Sequence, residues 1–310
     1  MFIEIFGKNI YYEVYGTGHK DVLVYLHGGP GASCMYFVNQ ARALSERLKV
    51  VIFDQMGVLR SDAIAEDDDY SMEYQVEMIE EMRRKLGIEK WSVLGHSYGG
   101  MLAVLYAYTC PDSINKVILE CPSLWFLDSA RSIAAYVSEH INKLNNEEAS
   151  KLCEKIKSAD EQTGREIVFD LIALLNHMTD MKLRNYLHGI SFEEYQRSMN
   201  TEGITGEMWA KGDRHLMKLL EDGSEVQGTQ KRVAMTDNFL PVIQKIVKPL
   251  LLINGRYDPT CTEYQTEFVM DKVPNAVRVV FENSGHFPRI EEADKYTHTI
   301  FNFMEKNNTI

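Results

Sequence analysis

The stretch Ser92-Val93-Leu94-Gly95-His96-Ser97-Tyr98-Gly99-Gly100 decides the reading of this chain. Ser92–Leu94 reads as a short buried strand, and the residues from Ser97 to Tyr108 read as a helix that stops before Pro111. Between them lies Gly-x-Ser-x-Gly, and a strand-to-helix turn is the context that pattern requires. A turn this sharp forces the serine into a strained backbone conformation. The flanking glycines leave room where a Cβ would clash, and the hydroxyl stands at a helix N-terminus, where the dipole favours developing negative charge. Ser97 is therefore the candidate nucleophile.

Outward from this turn, other segments share the strand character. Phe2–Phe6 and Ile10–Tyr15 alternate apolar and polar residues around Gly7-Lys8, as in a hairpin. Val22–Leu26, Val50–Phe53, Val117–Leu119, Leu250–Ile253 and Val277–Phe281 are continuous apolar runs, as expected of strands covered on both faces. Helical patterns separate them. Met72, Val76, Ile79 and Leu86 share one face; Ser71 suits the N-cap, Arg83, Arg84 and Lys85 the last turn, and Gly87 the stop. A final helix is predicted over about Glu292–Glu305. Strands alternating with helices imply an α/β fold with a mostly parallel sheet covered on both sides.

The rhythm breaks from Ser123 to Lys245, where no strand is predicted, only helical stretches such as Ala130–Leu144, Glu147–Lys157 and Arg165–Leu175. The predicted organisation is a core domain from residues 1–122 and 246–310, with a helical cap over residues 123–245. Inserted after a strand, such a cap would cover the carboxyl edge of the sheet, where open α/β sheets bind ligands.

Composition narrows the class. The 310 residues include 45% hydrophobic and 25% charged, which is ordinary for a globular protein. The formal charge of −12, from 33 basic against 45 acidic residues, disfavours nucleic acid as a partner. The five cysteines, Cys34, Cys110, Cys121, Cys153 and Cys261, have neither zinc-finger nor redox spacing, so reduced thiols and a cytoplasmic location are expected. The N-terminus lacks the pattern of a signal peptide, and no apolar run reaches the roughly 20 residues of a membrane helix. The sequon Asn307-Asn308-Thr309 is read as an accident of a polar tail.

A serine hydroxyl needs a base, and the base needs an orienting acid. His286, in Ser284-Gly285-His286-Phe287-Pro288, follows the last predicted strand and can return to the sheet's carboxyl edge. Asp258, in Gly255-Arg256-Tyr257-Asp258, follows the strand before it. Glu120, at the end of the strand that precedes the insertion, is a rival acid for the same histidine. The order Ser97, Asp258, His286 is that of α/β-hydrolases. The loop His27-Gly28-Gly29-Pro30-Gly31 offers backbone N–H groups without side chains. Gly29 N–H and Tyr98 N–H are assigned to the oxyanion hole. As a phosphate cradle the loop is weak, for it lacks Gly-x-Gly-x-x-Gly and any following Gly-Lys-Ser. No metal site is indicated, since no His-x-x-x-His pair stands beside an acidic residue. Cys34, Cys121 and Cys261 lie near the site in sequence and are read as packing thiols, and the run Glu66-Asp67-Asp68-Asp69 as a solvated loop.

Together His27-Gly28-Gly29-Pro30-Gly31, Asp54-Gln55-x-Gly57, Gly95-His96-Ser97-Tyr98-Gly99-Gly100, Asp258 and Ser284-Gly285-His286 resemble the proline iminopeptidase (prolyl aminopeptidase) family of α/β-hydrolases. The resemblance implies an eight-stranded sheet with a helical cap, release of N-terminal residues from short peptides, and no cofactor. It also implies acidic cap residues for the substrate's free amino group. The segment Met199-Asn200-Thr201-Glu202-Gly203-Ile204-Thr205-Gly206 resembles one such cap segment, which makes Glu202 the candidate. The chain departs from the family's Asp-Gln-Arg-Gly-x-Gly-x-Ser, because Met56 replaces the arginine and Leu59 the second glycine. The function expected is a serine aminopeptidase, with a small-molecule esterase, lactonase or amidase on the same scaffold as the alternative. A non-catalytic binding protein is the reading from another class, and the complete set of Ser97, Asp258 and His286 speaks against it.

Overall fold

A computed structural model describes residues 1–141, 146–161, 164–199, 201–222, 226–227 and 230–305. The sequon at Asn307 lies outside the described residues, as do Asn200 and the predicted end of the Ala130–Leu144 helix. In chain order the strands are β1 (Phe2–Ile5), β2 (Lys8–Tyr15), β3 (Val22–Leu26), β4 (Lys49–Phe53), β5 (Trp91–His96), β6 (Ile114–Glu120), β7 (Val226–Gln227), β8 (Gln230–Lys231), β9 (Leu250–Gly255) and β10 (Ala276–Phe281). Eight of them form one sheet in the order β1-β2-β4-β3-β5-β6-β9-β10. The β1–β2 hairpin and its junction with β4 are antiparallel; from β4 through β3, β5, β6 and β9 to β10 all pairs are parallel. Every residue of β3, β5 and β9 is buried, as their unbroken apolar runs require.

The helices around the sheet are α1 (Val38–Leu44), α2 (Met72–Lys85) and α3 (Tyr98–Thr109). Ser71 caps α2 by accepting the Tyr74 N–H at 3.2 Å, and Gly87 ends that helix with φ +65°. The segment between β6 and β9 holds α4 (Phe126–Ile141), α5 (Glu147–Ser158), α6 (Gly164–Asn176), α7 (Met181–Arg184), α8 (Phe192–Arg197), α9 (Gly206–Asp222) and α10 (Leu240–Ile243). After β9 come α11 (Glu263–Lys272), α12 (Pro288–Glu291) and α13 (Ala293–Glu305).

The sequence predicts no strand in this insertion, yet β7 and β8 pair there, and Trp125 bridges Asn238. Two-residue strands carry no periodicity to read. Helices α4, α5 and α6 pack on one another. Their buried residues Ile133, Cys153 and Leu171 belong to the same apolar cluster as Val93, Leu119 and Leu252 of the sheet. Helix α9 is pinned to the loop after β4. His215 Nδ1 lies 3.0 Å from the Met56 carbonyl, and Lys211 Nζ donates to the carbonyls of Leu59 and Ser61 at 3.0 and 2.9 Å. No described helix is long and apolar enough to cross a membrane.

Candidate active site

The candidate residues converge at the carboxyl ends of the parallel strands. Ser97 follows β5 with φ +55° and ψ −119°, a strained conformation for a residue with a Cβ. Its N–H donates to the Glu120 carbonyl at 3.0 Å, and its carbonyl accepts from Gly100 N–H at 2.9 Å, so the turn is held from both sides. Gly95 is required, because a Cβ there would stand 2.1 Å from the Gly99 carbonyl oxygen.

Asp258 follows β9 and His286 follows β10. His286 Nδ1 lies 3.0 Å from Asp258 Oδ1 and 2.9 Å from Thr260 Oγ1. The Thr260 hydroxyl and its N–H, the latter at 2.9 Å, donate to the same Asp258 oxygen. An ionised carboxylate only accepts, so Nδ1 carries the proton and Nε2 is free to accept one from Ser97. Burial acts to raise the Asp258 pKa, but the His286 charge and the hydrogen bonds from His286 and Thr260 outweigh it and leave the group below its ordinary range. His286 is fixed further: its backbone N–H donates to the Tyr186 carbonyl at 3.0 Å, and the Tyr186 ring meets the imidazole edge-on at 5.9 Å.

The Glu120 carboxylate is engaged by other partners. Its Oε1 is 3.0 Å from Arg289 Nη1, and its Oε2 accepts from the Tyr296 hydroxyl at 2.9 Å. Glu120 and Arg289 thus form a buried ion pair beneath the site, within one residue of the Ser97 turn. His96, beside the nucleophile, is held neutral chiefly by burial, with Arg289 and His286 adding to the effect, and its Nε2 lies 3.0 Å from the His286 carbonyl.

The loop after β3 lies against the nucleophile. A Cβ at Gly28 would stand 3.0 Å from Ser97 Cβ, and Gly29 adopts φ +115°, in glycine's territory. Gly29, Tyr98, Ser97 and His286 all line one cavity of about 410 Å³. Glu202 does not line it: this residue lies on an exposed turn with Gly203. The sequence placed Glu202 by local similarity, and local similarity does not determine where a helical insertion carries a loop.

The loop after β4 carries the two departures from the family's pattern. Met56, in the position of the family's arginine, is buried in the apolar core. The arginine lies four residues on, as Arg60, whose Nε donates to Asp54 Oδ2 at 2.7 Å and whose guanidinium stacks 3.8 Å from the centre of the Tyr11 ring. Leu59 adopts a positive φ, +34°. Its side chain is buried with Met35 and Val58, against Tyr36, Met199, Ile204 and Met208. Leu59 therefore anchors the inserted segment near residue 200 to the core.

The ligating atoms of Cys121, Asp258 and His286 lie within 4.8 Å of one another. Two of the three already hydrogen-bond to each other, and burial pushes the Cys121 thiol well up, with the Asp258 charge adding to the shift. The set is organised as an acid–imidazole pair beside a protonated thiol. Cys34 and Cys261 are likewise buried and raised well above the ordinary thiol range, so none is a ready nucleophile.

Residues that sequence reasoning did not find are Thr260, Tyr186, Arg60 and the apolar cavity walls from α4 and α6. Thr260 had a local signal, two residues after the acid in Asp258-Pro259-Thr260; the others have none.

Residues 21–143 match the family model described as the alpha/beta hydrolase fold. A proline iminopeptidase of Saccharolobus solfataricus is 29% identical over 97% of this chain and 91% of that protein. A second from Clostridium botulinum is 27% identical over 96% of this chain and 94% of that protein. Among solved structures, proline iminopeptidase from Mycobacterium smegmatis superposes with a TM-score of 0.66 at 17% identity, covering 98% of this chain and 97% of that one. The enol-lactonase from Burkholderia xenovorans LB400 gives 0.63 at 19%, covering 99% and 100%, so the fold alone spans several activities. The parallel sheet, the strained serine after β5 and these likenesses make the chain an α/β-hydrolase. Within that class its similarity to curated proline iminopeptidases runs along nearly the whole chain.

Proposed function

We propose that this chain is a serine hydrolase of the aminopeptidase type, releasing the N-terminal residue of short peptides or aminoacyl amides. One observation carries the reading: His286, paired with Asp258, lines the same cavity as a serine held at positive φ. Ser97 Oγ attacks the scissile carbonyl while His286 Nε2 takes its proton. Gly29 and Tyr98 N–H groups receive the oxyanion, a contribution of about 3 kcal/mol for each well-placed donor. His286 passes the proton to the leaving amine, and water then attacks the acyl-enzyme by the reverse path. Asp258 holds the tautomer and stabilises the imidazolium.

The residues at 123–245 act in this reading as a cap: Ile133, Val168, Leu171 and Leu216 from this segment wall the cavity above Ser97. Its exclusion of water strengthens every polar interaction at the reacting carbonyl. The five unpaired cysteines support a cytoplasmic setting. Proline, alanine and leucine β-naphthylamides and a set of dipeptides, followed by mass spectrometry of the released residue, test the proposal. Release of the N-terminal residue is the predicted outcome; no turnover of any of them overturns the aminopeptidase reading.

A further inference from the structure

His286 sits in a loop, residues 283–287, that is fastened donor by donor. The Asn283 N–H donates to Glu292 Oε2 at 3.0 Å, and the Ser284 hydroxyl donates to the same oxygen at 2.7 Å. Gly285 and Phe287, on either side of the base, donate their N–H groups to Glu291 Oε1 at 2.9 and 3.3 Å. The other oxygen of Glu291 turns to the insertion between β6 and β9. There Oε2 accepts from the N–H groups of His188 and Gly189, both at 2.7 Å. One carboxylate thus accepts four backbone hydrogen bonds, two from each side of a junction between the catalytic loop and the inserted segment. Hydrogen bonds to a carboxylate are shorter and roughly twice as strong as those between neutral groups.

The junction leaves no room for side chains. A Cβ at Gly285 would stand 1.8 Å from the Tyr186 carbonyl oxygen, and one at Gly189 would stand 2.5 Å from the Asn283 carbonyl oxygen. It also holds strain. Tyr186 follows α7 with φ +55°. Its N–H donates to the Leu183 carbonyl at 2.9 Å, and the Leu187 N–H donates to the Lys182 carbonyl at 3.0 Å. That pair of bonds marks a helix ending in which glycine is usual, because a side chain at positive φ is disfavoured. A tyrosine is kept there by what it meets: its carbonyl receives the His286 N–H, and its ring lies against the imidazole. Such strain persists only where the surroundings hold it, and here they are the catalytic base and the Glu291 clamp.

We propose that Glu291 is a positioning residue for the reaction. Its carboxylate ties the loop that carries His286 to residues 186–189 of the insertion, so that the imidazole faces Ser97 only while that segment is seated. The inference rests on Ser97 and His286 as nucleophile and base, but not on which acyl group the site takes. Glu291 is not among the described residues that line the cavity, so it acts through the loop. A shift of about 1 Å in a reacting group can cost on the order of a hundredfold in rate. Asp258 fixes the tautomer of the imidazole; Glu291 fixes where the imidazole stands.

The test is Glu291→Gln, which keeps the shape but sets an NH2 group against two of the four N–H donors. Reaction of Ser97 with a fluorophosphonate needs the base but no particular substrate, and its rate is measured in parent and variant. Steady-state kcat and KM are measured with an aminoacyl β-naphthylamide. In folded enzyme, labelling rate and kcat should both fall by more than about tenfold and up to about a hundredfold, with KM within about threefold. The proton NMR signal of the His286–Asp258 hydrogen bond should broaden or move, which a loss of stability alone would not cause. A labelling rate lowered by less than about tenfold, a loss that appears in KM alone, or an unmoved NMR signal overturns the inference. If Glu291→Gln does not fold, Glu291→Asp is read by the same limits, since it keeps the charge but is one methylene too short to span both segments. A parent that turns over no β-naphthylamide counts against the aminopeptidase reading, and the labelling rate still decides this inference. A parent whose Ser97 is not labelled overturns the serine reading, and this inference with it.

Discussion

Arg60 Nε lies 2.7 Å from Asp54 Oδ2, and the two form an ion pair at the start of the loop after β4. Asp54 is fully buried and also accepts from the Ser33 hydroxyl and the Cys34 N–H. Burial acts to raise its pKa; hydrogen bonding to Arg60 and that group's charge reverse the effect and leave it lowered. The pair fixes the β4 loop on which α9 and the segment near residue 200 rest. Removing one partner of a buried pair costs about 3–5 kcal/mol. Arg60→Gln should lose that much stability, and Arg60→Gln with Asp54→Asn should lose less than the two single losses added. Denaturant melts of the three variants check the coupling; additive losses would mean the groups do not interact.

Asp258 and Glu120 should separate cleanly. Asp258→Asn is expected to lower kcat by about 10⁴, because the imidazole loses its tautomer and its countercharge. Glu120→Gln leaves Arg289 buried without its partner, so stability should fall by about 3–5 kcal/mol. Its turnover per folded molecule should stay within about tenfold of the parent's. Rates measured well below each variant's Tm decide the matter, and a reversed pattern would move the acid to β6.

Glu202→Gln should leave kcat/KM for free-amine substrates within about twofold, as for surface positions away from a site. Its side chain is exposed and outside the cavity. A hundredfold loss specific to aminoacyl substrates would show that the turn closes over the cavity during turnover.

His215 should make stability pH-dependent. It is fully buried, 3.1 Å from the Tyr70 hydroxyl through Nδ1, and burial, with His27 next, pushes its pKa down to about 3. The unfolded imidazole titrates near 6.5. Between those two values the unfolded chain holds the extra proton, so stability falls as pH drops below about 6.5. The share of His215 between pH 7 and pH 5 is about 2 kcal/mol. Chemical denaturation at the two pH values should show His215→Asn losing about that much less than the parent on acidification. Equal losses would show that the folded imidazole is not held neutral.

The placement of Ser97 after β5, Asp258 after β9 and His286 after β10 was legible because each follows a strand with a readable apolar run. Strand character and turn chemistry are local properties, and chain order does the rest. Arg60 was not legible, since its pairing depends on the β4 loop folding back over Asp54. Nor was the wall of α6, whose apolar residues at 168, 171 and 175 read equally well as a helix packed in a core. Glu202 was chosen from a short matching segment, and it lies on an exposed turn outside the described lining of the cavity.

The central claim is that Ser97 becomes acylated. A fluorophosphonate probe followed by peptide mass mapping tests it most directly. The account predicts a single adduct on the peptide that contains Ser97, abolished in Ser97→Ala and greatly slowed in His286→Ala. Labelling of another residue, or turnover by Ser97→Ala above a tenth of the parent's rate, would contradict it.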